Sequence, residues 1–364
     1  MSQAERFISD ALNAFDFGGG VLEAARYGCG HVNDTFCVRT PSQRFILQRI
    51  SAAAFPHPDQ VMDNIKAVTA YLRNVIASSG GDCARETLTV YPTRDGGSFY
   101  TDREGGAWRA YPFIEHTVCL QSAETPELFA AAARAFGRFQ YLLRDYPAHT
   151  LYETVPGFHD TEDRLTKLKA AVAADTMGRV KNVKAELDFV AARQDDCSAA
   201  LQALREGKLP LRVTHNDTKL NNILMDPDTG EGVCVIDLDT VMPGLSINDF
   251  GDAIRFGANH CAEDERDLSK VTFDLSLFDV YTRGFLEGTQ GVLTSAELDY
   301  LPWGAKLMTL ECGIRFLTDY LEGDHYFQIQ REGQNLDRCR TQFKLAADME
   351  AQWDAMKTVV DKLR

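Results

Sequence analysis

The sequence predicts an α+β protein of two lobes, in which a small antiparallel sheet with one helix precedes a larger, mainly helical lobe. The chain has 364 residues, which is more than one ordinary hydrophobic core accommodates. Short β-like runs alternate with glycines in the first third, and helical periodicity dominates after about residue 115. We therefore expect an N-terminal lobe over residues 1–114 and a C-terminal lobe over residues 115–364.

Strands of the N-terminal lobe are predicted from short runs of apolar and β-branched residues. These runs lie at 21–24, 35–38, 45–47, 88–91 and 108–114. Glycine-rich segments separate the first runs and predict tight antiparallel turns. Pro58 begins a helix in which Val61, Ile65, Val68 and Leu72 recur on one face.

Helices of the C-terminal lobe are predicted from their start signals and apolar stripes. Thr125 is an N-cap followed by proline at the first helical position. Thr294 and Glu297 form a capping box before a helix that runs towards Phe316. One β-rich interval, residues 211–239, interrupts these helices and carries an unusual set of polar residues.

Composition excludes several classes of protein. The 38 basic and 53 acidic residues give a net charge of −15, which argues against nucleic acid or an anionic membrane surface as the main partner. An anionic small ligand is not excluded, because a local site can outweigh a distant surface charge. The nine cysteines contain no C-x-x-C pair, and neither a secretory signal nor an apolar stretch of bilayer length is present. We expect a cytoplasmic protein with reduced thiols.

The β-rich interval contains the spacing H-x-D-x-x-x-x-N, formed by His215, Asp217 and Asn222, and a later strand ends at Asp237. A loop carboxylate such as Asp217 can orient a hydroxyl and accept its proton. Asn222 and Asp237 offer oxygen atoms of the kind that Mg²⁺ prefers. Lys219 can place a positive charge near a transferring phosphoryl group, and we expect His215 to orient the loop.

The alternative interpretation of this segment is a turn in which Asp and Asn serve only the backbone conformation. Two flanking strands and the Ile236-Asp237 pair favour the catalytic interpretation. Asp249 begins an Asp-Phe-Gly triplet, which lies too far along the chain from Asn222 to supply a metal ligand. Asp237 is better spaced for that role. We predict that Asp249 instead ties the loop to its neighbour.

The segment from His215 to Asp226, with Ile236 and Asp237, resembles the aminoglycoside phosphotransferase and choline kinase superfamily. Within it, longer stretches resemble the N-acetylhexosamine 1-kinases, and the likeness runs over almost the whole chain. These stretches are 28–33, 44–49, 108–117, 255–257, 311–316 and 321–326. The resemblance implies a protein-kinase-like fold and ATP- and Mg²⁺-dependent phosphorylation of the anomeric hydroxyl of N-acetylglucosamine or N-acetylgalactosamine. It also implies ATP between the lobes and the sugar in the C-terminal lobe.

Sugar-binding candidates are side chains that offer hydrogen bonds or a flat apolar surface. Arg315 offers a rigid donor fork, Tyr326 a polar tip and Phe256 an apolar face, and the resemblance indicates the same positions. Without it, Arg315 would be assigned to a buried ion pair. His31 follows a glycine loop that could cover phosphates or the sugar, although a simple hairpin turn explains the glycines equally well.

Nucleotide-binding candidates are Gly30 in that loop and Phe113 and Ile114 in the segment that looks like the connection between the lobes. The strand position at which many relatives carry a phosphate-binding lysine is Gln48, so Gln48 or Arg49 must replace that lysine or the role is lost. The helix that begins at Pro58 likewise lacks an obvious glutamate that could pair with such a lysine.

Two other functions stay open. One is a kinase of the same superfamily that acts on another sugar, choline, homoserine or an aminoglycoside. The other is a non-catalytic nucleotide-binding protein, which the departure at Gln48 motivates. The sequence leaves the choice between the two amino sugars and the oligomeric state undetermined.

Overall fold

The computed structural model describes residues 3–28 and 32–364. The elements of its first part are α1 (Gln3–Ala14), β1 (Glu23–Arg26), β2 (Asp34–Arg39), β3 (Arg44–Arg49), α2 (Pro58–Ser78), β4 (Tyr100–Thr101), β5 (Ala107–Pro112), β6 (Val118–Cys119) and α3 (Pro126–Leu142). They are followed by α4 (Thr161–Ala174), α5 (Lys184–Ala191), α6 (Ala199–Arg205), β7 (Arg212–Thr214), β8 (Ile223–Met225), β9 (Gly232–Val235), β10 (Met242–Gly244), α7 (Ser246–Gly257), α8 (Leu275–Thr289), α9 (Ser295–Glu322), α10 (Gln334–Ala351) and α11 (Trp353–Lys362).

The chain divides into two compact units. The first unit consists of residues 1–119, 149–155 and 223–242, and the second of 120–148, 156–222 and 243–364. The first unit therefore includes a short segment and a hairpin that are distant from its main part along the chain.

A five-stranded sheet of order β1-β2-β3-β5-β4 forms the centre of the first unit. Its neighbours are antiparallel, with Phe36 opposite Leu47 and Gln48 opposite Arg109. Since side chains alternate along a strand, Phe45 and Leu47 lie on one face and Gln48 on the other. The first face packs on a core that contains Phe15 and Trp108.

The hairpin of β8 and β9 completes the first unit, and β6 pairs antiparallel with β8. Helix α2 supports this region through Asn64, whose amide donates to the carbonyls of Tyr152 at 2.8 Å and Val241 at 3.0 Å. The Asn64 side chain also accepts a hydrogen bond from the Tyr152 N–H at 2.9 Å. A buried asparagine with all these bonds fixes the turn that follows β9.

The second unit is mainly helical, and α7 and α9 are in close contact within it. Gly251 on α7 faces Gly304 on α9, and a Cβ atom at either position would collide with backbone of the other helix. The absence of both side chains lets the helices approach this closely. Phe250 is fully buried beside Phe285.

The predicted fold class is confirmed, including the helices that begin at Pro58, after Thr125 and after Thr294. The strand predicted at 88–91 is wrong, since only Tyr91 forms an isolated bridge with Ala110. Helix α1 was not predicted, although Ile8, Leu12 and Phe15 recur at helical spacing. In the described part of the chain, no helix is both long and apolar enough to cross a bilayer.

Candidate active site

Residues 215–222 follow β7 in the second unit, and a buried carboxylate holds their backbone. Asp249 accepts hydrogen bonds from the N–H groups of His215 at 3.0 Å and Asn216 at 2.7 Å, and from the Gln140 amide at 3.0 Å. Burial raises the pKa of Asp249, and the charge and hydrogen bonds around it act against that rise. Asp249 therefore ties this loop to α7, as predicted from the sequence.

A second acid of α7, Asp252, holds the other side of the loop. Its Oδ2 accepts a hydrogen bond from the Thr218 N–H at 3.1 Å, and its Oδ1 accepts two from Arg255, each at 3.0 Å. Arg255 is buried and also donates to Glu263 at 3.1 Å. Acids three residues apart share one helix face, so α7 binds backbone N–H groups of the loop both before and after Asp217.

His215 lies in the apolar interior below the loop. Its buried ring packs edge-on against Phe136 and Phe139, with centroid distances of 5.6 and 6.0 Å. Its Nδ1 accepts a hydrogen bond from the Asp217 N–H at 3.3 Å. This arrangement orients the backbone at Asp217, which is the role that we expected of His215.

The Asp217 carboxylate is bound by two side chains of its own loop. Oδ1 lies 2.7 Å from the Lys219 ammonium nitrogen, and Oδ2 accepts a hydrogen bond from the Asn222 amide at 3.0 Å. The same amide donates to the Asp217 carbonyl at 2.8 Å. The Asp217 side chain is 28% exposed, so it is oriented by its neighbours and still accessible to a ligand.

Charge and atom type on this loop suit phosphate chemistry. Burial lowers the pKa of Lys219, but the carboxylates of Asp217 and Asp252 outweigh that effect and raise it overall, which keeps the amine protonated. The Asn222 nitrogen is turned towards Asp217, so its amide oxygen is directed elsewhere. A neutral amide oxygen is a hard donor, and this orientation fits a magnesium ligand.

Asp237 lies in the first unit, directly before a 3₁₀ turn at Leu238–Thr240. Its φ of 59° and ψ of 56° are left-handed, an uncommon conformation for a residue with a side chain. A strained backbone conformation of this kind persists only where surrounding contacts stabilise it, and such residues are frequent at functional sites. Here Thr154 donates a hydrogen bond to the Asp239 carbonyl at 3.2 Å. A carboxylate on a turn held in this way fits a hard cation.

Gln48 belongs to a partly buried polar network of the first unit. The side-chain oxygen of Gln48 accepts a hydrogen bond from Arg109 at 3.1 Å, and its side-chain nitrogen donates to the Thr35 hydroxyl at 3.0 Å. Arg109 is 1% exposed and forms an ion pair with Asp239, which also accepts a hydrogen bond from Asn33 at 2.7 Å. Burial lowers the pKa of Arg109, but Asp239 more than compensates, so the guanidinium stays charged.

Arg49 points to the opposite face of β3 from Gln48, as strand alternation requires. Its guanidinium lies 3.1 Å from Asp102 and within 6 Å of the Phe7 and Trp108 rings. The structure thus places Arg49 on the core side of the sheet, apart from the network of Gln48.

The sugar-binding candidates Arg315 and Tyr326 lie together in the second unit. The Arg315 guanidinium carbon is 5.8 Å from the Tyr326 ring centre, 5.8 Å from that of Phe158 and 5.3 Å from that of Phe327. Tyr326 is 71% exposed. Burial lowers the pKa of Arg315, but neighbouring groups, Glu311 among them, raise it overall. The cluster offers a cation and flat ring faces to a ligand. Phe256, the third candidate, is 42% exposed and lies at the end of α7.

The remaining candidates belong to the first unit. The Phe113 N–H donates to the Arg44 carbonyl at 2.9 Å, and the Arg44 guanidinium lies 3.8 Å above the Phe113 ring. The Ile114 carbonyl accepts a hydrogen bond from Thr117 at 2.8 Å. Gly30 and His31 lie outside the described residues.

Comparison with protein families matches residues 23–278 to the phosphotransferase enzyme family, which is more than half of the chain. The chain belongs to this family. The match includes the loop of Asp217 and the turn of Asp237.

Solved structures share the fold of this phosphotransferase over nearly its whole length. An aminoglycoside phosphotransferase from Alicyclobacillus acidocaldarius matches with a TM-score of 0.62 at 13% identity, covering 98% of this chain and 96% of that chain. A choline kinase from Cryptosporidium parvum matches with a TM-score of 0.57 at 12% identity, covering 99% of each chain. A spectinomycin phosphotransferase in complex with ADP and spectinomycin matches with a TM-score of 0.54 at 13% identity, covering 95% and 98%.

Sequence reasoning missed two residues of this phosphotransferase that contact the candidate segments. The sequence indicates Arg109 only as part of the stretch 108–117, yet it is the buried cation beside Gln48. The segment 158–161 predicts only a helix start, yet its His159 bonds to the carbonyl of Asn216. A charged or titratable residue within an apolar strand, as at Arg109, is the signal that could have found the first of them.

Proposed function

We propose that this phosphotransferase uses ATP to phosphorylate the anomeric hydroxyl of N-acetylglucosamine or N-acetylgalactosamine, giving the sugar 1-phosphate. The observation that carries the phosphotransfer is the orientation of Asp217 by Lys219 and Asn222 on one anchored loop. The spectinomycin phosphotransferase with bound ADP supports nucleotide use. The amino-sugar acceptor is supported by the resemblance of the sequence and by the cluster around Arg315.

In the proposed reaction, Asp217 hydrogen-bonds the acceptor hydroxyl and takes its proton as the oxygen attacks the γ-phosphorus of ATP. Lys219 is held beside Asp217 as an ammonium and offsets negative charge on the transferring phosphoryl group. The bond from the γ-phosphorus to its bridging oxygen breaks, and ADP leaves.

We propose Asn222 and Asp237 as the ligands of Mg²⁺, on their spacing in the sequence and on their oxygen donors. When bound, Mg²⁺ would neutralise phosphate charge. The orientation of the Asn222 amide and the held turn of Asp237 both fit this role.

We propose that the sugar is bound by Arg315, Tyr326 and Phe256. The guanidinium can donate to sugar hydroxyls or to the N-acetyl carbonyl, and the aromatic side chains can cover the ring. A neutral acceptor is favoured over a polycationic one, because a fixed cation lies at the centre of the cluster.

The test combines an acceptor panel with one substitution. Purified protein with ATP and Mg²⁺ is assayed for ADP release with each amino sugar, glucose, galactose, choline, homoserine and spectinomycin. The methyl glycoside of N-acetylglucosamine is included because it lacks a free anomeric hydroxyl. We expect turnover on the two free amino sugars, a sugar 1-phosphate in the ³¹P spectrum and no turnover on the methyl glycoside.

Asp217→Asn keeps the size of the side chain and removes the base. We expect it to lower kcat by at least about a hundredfold, as loss of general-base catalysis does, while ATP still raises the thermal midpoint. Asp279→Asn, an exposed acid on α8, is the matched control and should retain activity. Turnover restricted to choline, homoserine or spectinomycin would overturn the acceptor, and ATP binding without turnover on any acceptor would overturn the enzymatic role.

A further inference from the structure

His159 lies just before α4 in the second unit, and the proposed reaction does not use it. Its ring is 10% exposed. Nδ1 lies 3.1 Å from Oε1 of Glu311, and Nε2 lies 3.1 Å from the carbonyl oxygen of Asn216. Both ring nitrogens therefore face hydrogen-bond acceptors. The carbonyl oxygen can only accept, and the same holds for Glu311 when its carboxyl group is ionised.

This environment determines the protonation state of His159. A neutral imidazole has one N–H group, whereas two acceptors require both nitrogens to be protonated. Burial lowers the pKa of His159, but Glu311 and Asp252 outweigh it, and the pKa is raised overall. Glu311 is also held by Thr161, whose hydroxyl donates to Oε2 at 2.9 Å. His159 and Glu311 thus form an ion pair in the interior.

The carbonyl that His159 binds belongs to the peptide group directly before Asp217. The N–H of the same peptide group donates to Nδ1 of His215 at 3.3 Å. Two histidines therefore hold the two polar ends of one peptide plane. Asn216, on the other side of that plane, has a φ of 65°, which is uncommon for a residue with a side chain.

We propose that the His159 imidazolium, held by Glu311, is a positioning residue that fixes the Asn216–Asp217 peptide and thereby aims the Asp217 carboxylate. The inference rests on the proposed role of Asp217 as the base. A rotation of this peptide moves the carboxylate away from Lys219 and Asn222, which bind it at 2.7 and 3.0 Å. Small misplacements of a catalytic group cost large factors in rate.

The first measurement is a property of the wild-type protein, and a variant serves only to assign the signal. A ¹H–¹⁵N spectrum of the ring nitrogens at pH 7, with His159 assigned by its absence in His159→Phe, should show protons on both nitrogens. A signal typical of a neutral tautomer would overturn the proposal.

The second measurement separates positioning from general stability. We expect His159→Phe and Glu311→Gln each to lower kcat by about tenfold to a hundredfold, while KM for ATP changes less than about threefold. His159→Gln, which keeps one donor, should recover part of the loss. His149→Phe, at an exposed histidine, is the control and should leave kcat unchanged.

A double-variant cycle gives the decisive outcome. If His159 acts through Asp217, His159→Phe added to Asp217→Asn has no further effect on the residual rate. Equal losses in both backgrounds would assign His159 a merely structural role. An active wild-type enzyme that needs Asp217 but tolerates His159→Phe would refute this inference and leave the proposed function intact. Inactive wild-type protein would instead refute the proposed function.

Discussion

Replacing Arg109 by methionine keeps an unbranched apolar side chain but removes the counter-charge of a buried carboxylate. Arg109 and Asp239 are 1% and 3% exposed, so water replaces little of the lost interaction. In Arg109→Met, Asp239 keeps the hydrogen bond from Asn33, but its negative charge is unpaired. In Asp239→Asn, the guanidinium keeps its bond to Gln48 and an amide oxygen as acceptor, but it loses the charge of its ion-pair partner.

The expected cost follows from the burial of both charges. Removing one partner of a buried pair costs about 3 kcal/mol at the lower end of measured values, because the other charge is left uncompensated. Removing both leaves no unpaired charge, so the double variant should lose no more than one single variant does. We expect about 3 kcal/mol, from lost packing and hydrogen bonds. The two single losses sum to about 6 kcal/mol, which predicts a coupling energy of about 3 kcal/mol.

Urea unfolding followed by the fluorescence of Trp108 measures this cycle, because Trp108 lies on β5 next to Arg109. All variants are made in a background in which Trp303 and Trp353, of the second unit, are phenylalanine. The matched control is the exposed ion pair of Glu23 and Arg39, which joins β1 and β2 at the edge of the same sheet.

In that control pair both side chains are 56% exposed, so its coupling should be about 0–1 kcal/mol. If the losses at Arg109 and Asp239 add to within about 0.5 kcal/mol, the two charges do not depend on each other and the reasoning is refuted.

Two further predictions concern the second unit. Gly251→Ala should destabilise the protein by about 2 kcal/mol, because a Cβ collides with the carbonyl of Gly304 and overpacking outweighs the better helix propensity of alanine; an unchanged or higher urea midpoint contradicts this. Asp274, the N-cap of α8, is subject to burial, which raises its pKa, but hydrogen bonds from Ser276, His260 and the backbone lower the pKa to about 2. Since this is below the ordinary value of 3.8, its contribution to stability is present above pH 3.8 and is lost as the pH falls towards 2. The difference in urea midpoint between wild type and Asp274→Asn should therefore shrink between pH 5 and pH 3, and a constant difference would refute the assignment.

Local patterns predicted most of the fold. The caps at Thr125 and Thr294 were readable because a helix start depends on residues within one turn. The strand predicted at 88–91 failed because β propensity does not specify a partner, and only Tyr91 reaches β5 there. The identity of Asp249 as a loop anchor was predicted from spacing and agrees with its hydrogen bonds.

The contacts that hold the candidate site were less predictable, because they join residues that are distant in the sequence. Arg109 meets Gln48 only through the register of β3 and β5, and it meets Asp239 across 130 residues. His159 meets Glu311 across 152 residues. A motif defines which groups react, whereas the pairing of strands and helices decides which buried charges surround them.

The loop that carries Asp217 is specified by buried polar groups rather than by apolar packing of its own exposed residues. Asp249 and Asp252 bind its N–H groups, and His159 binds one of its carbonyls. A buried polar bond is costly to leave unmade, so each anchor penalises every other conformation of the loop. All of these anchors belong to the second unit, as does Asp217. The orientation of the carboxylate is therefore built into the folded second unit, and binding energy from nucleotide or acceptor need not be used to create it.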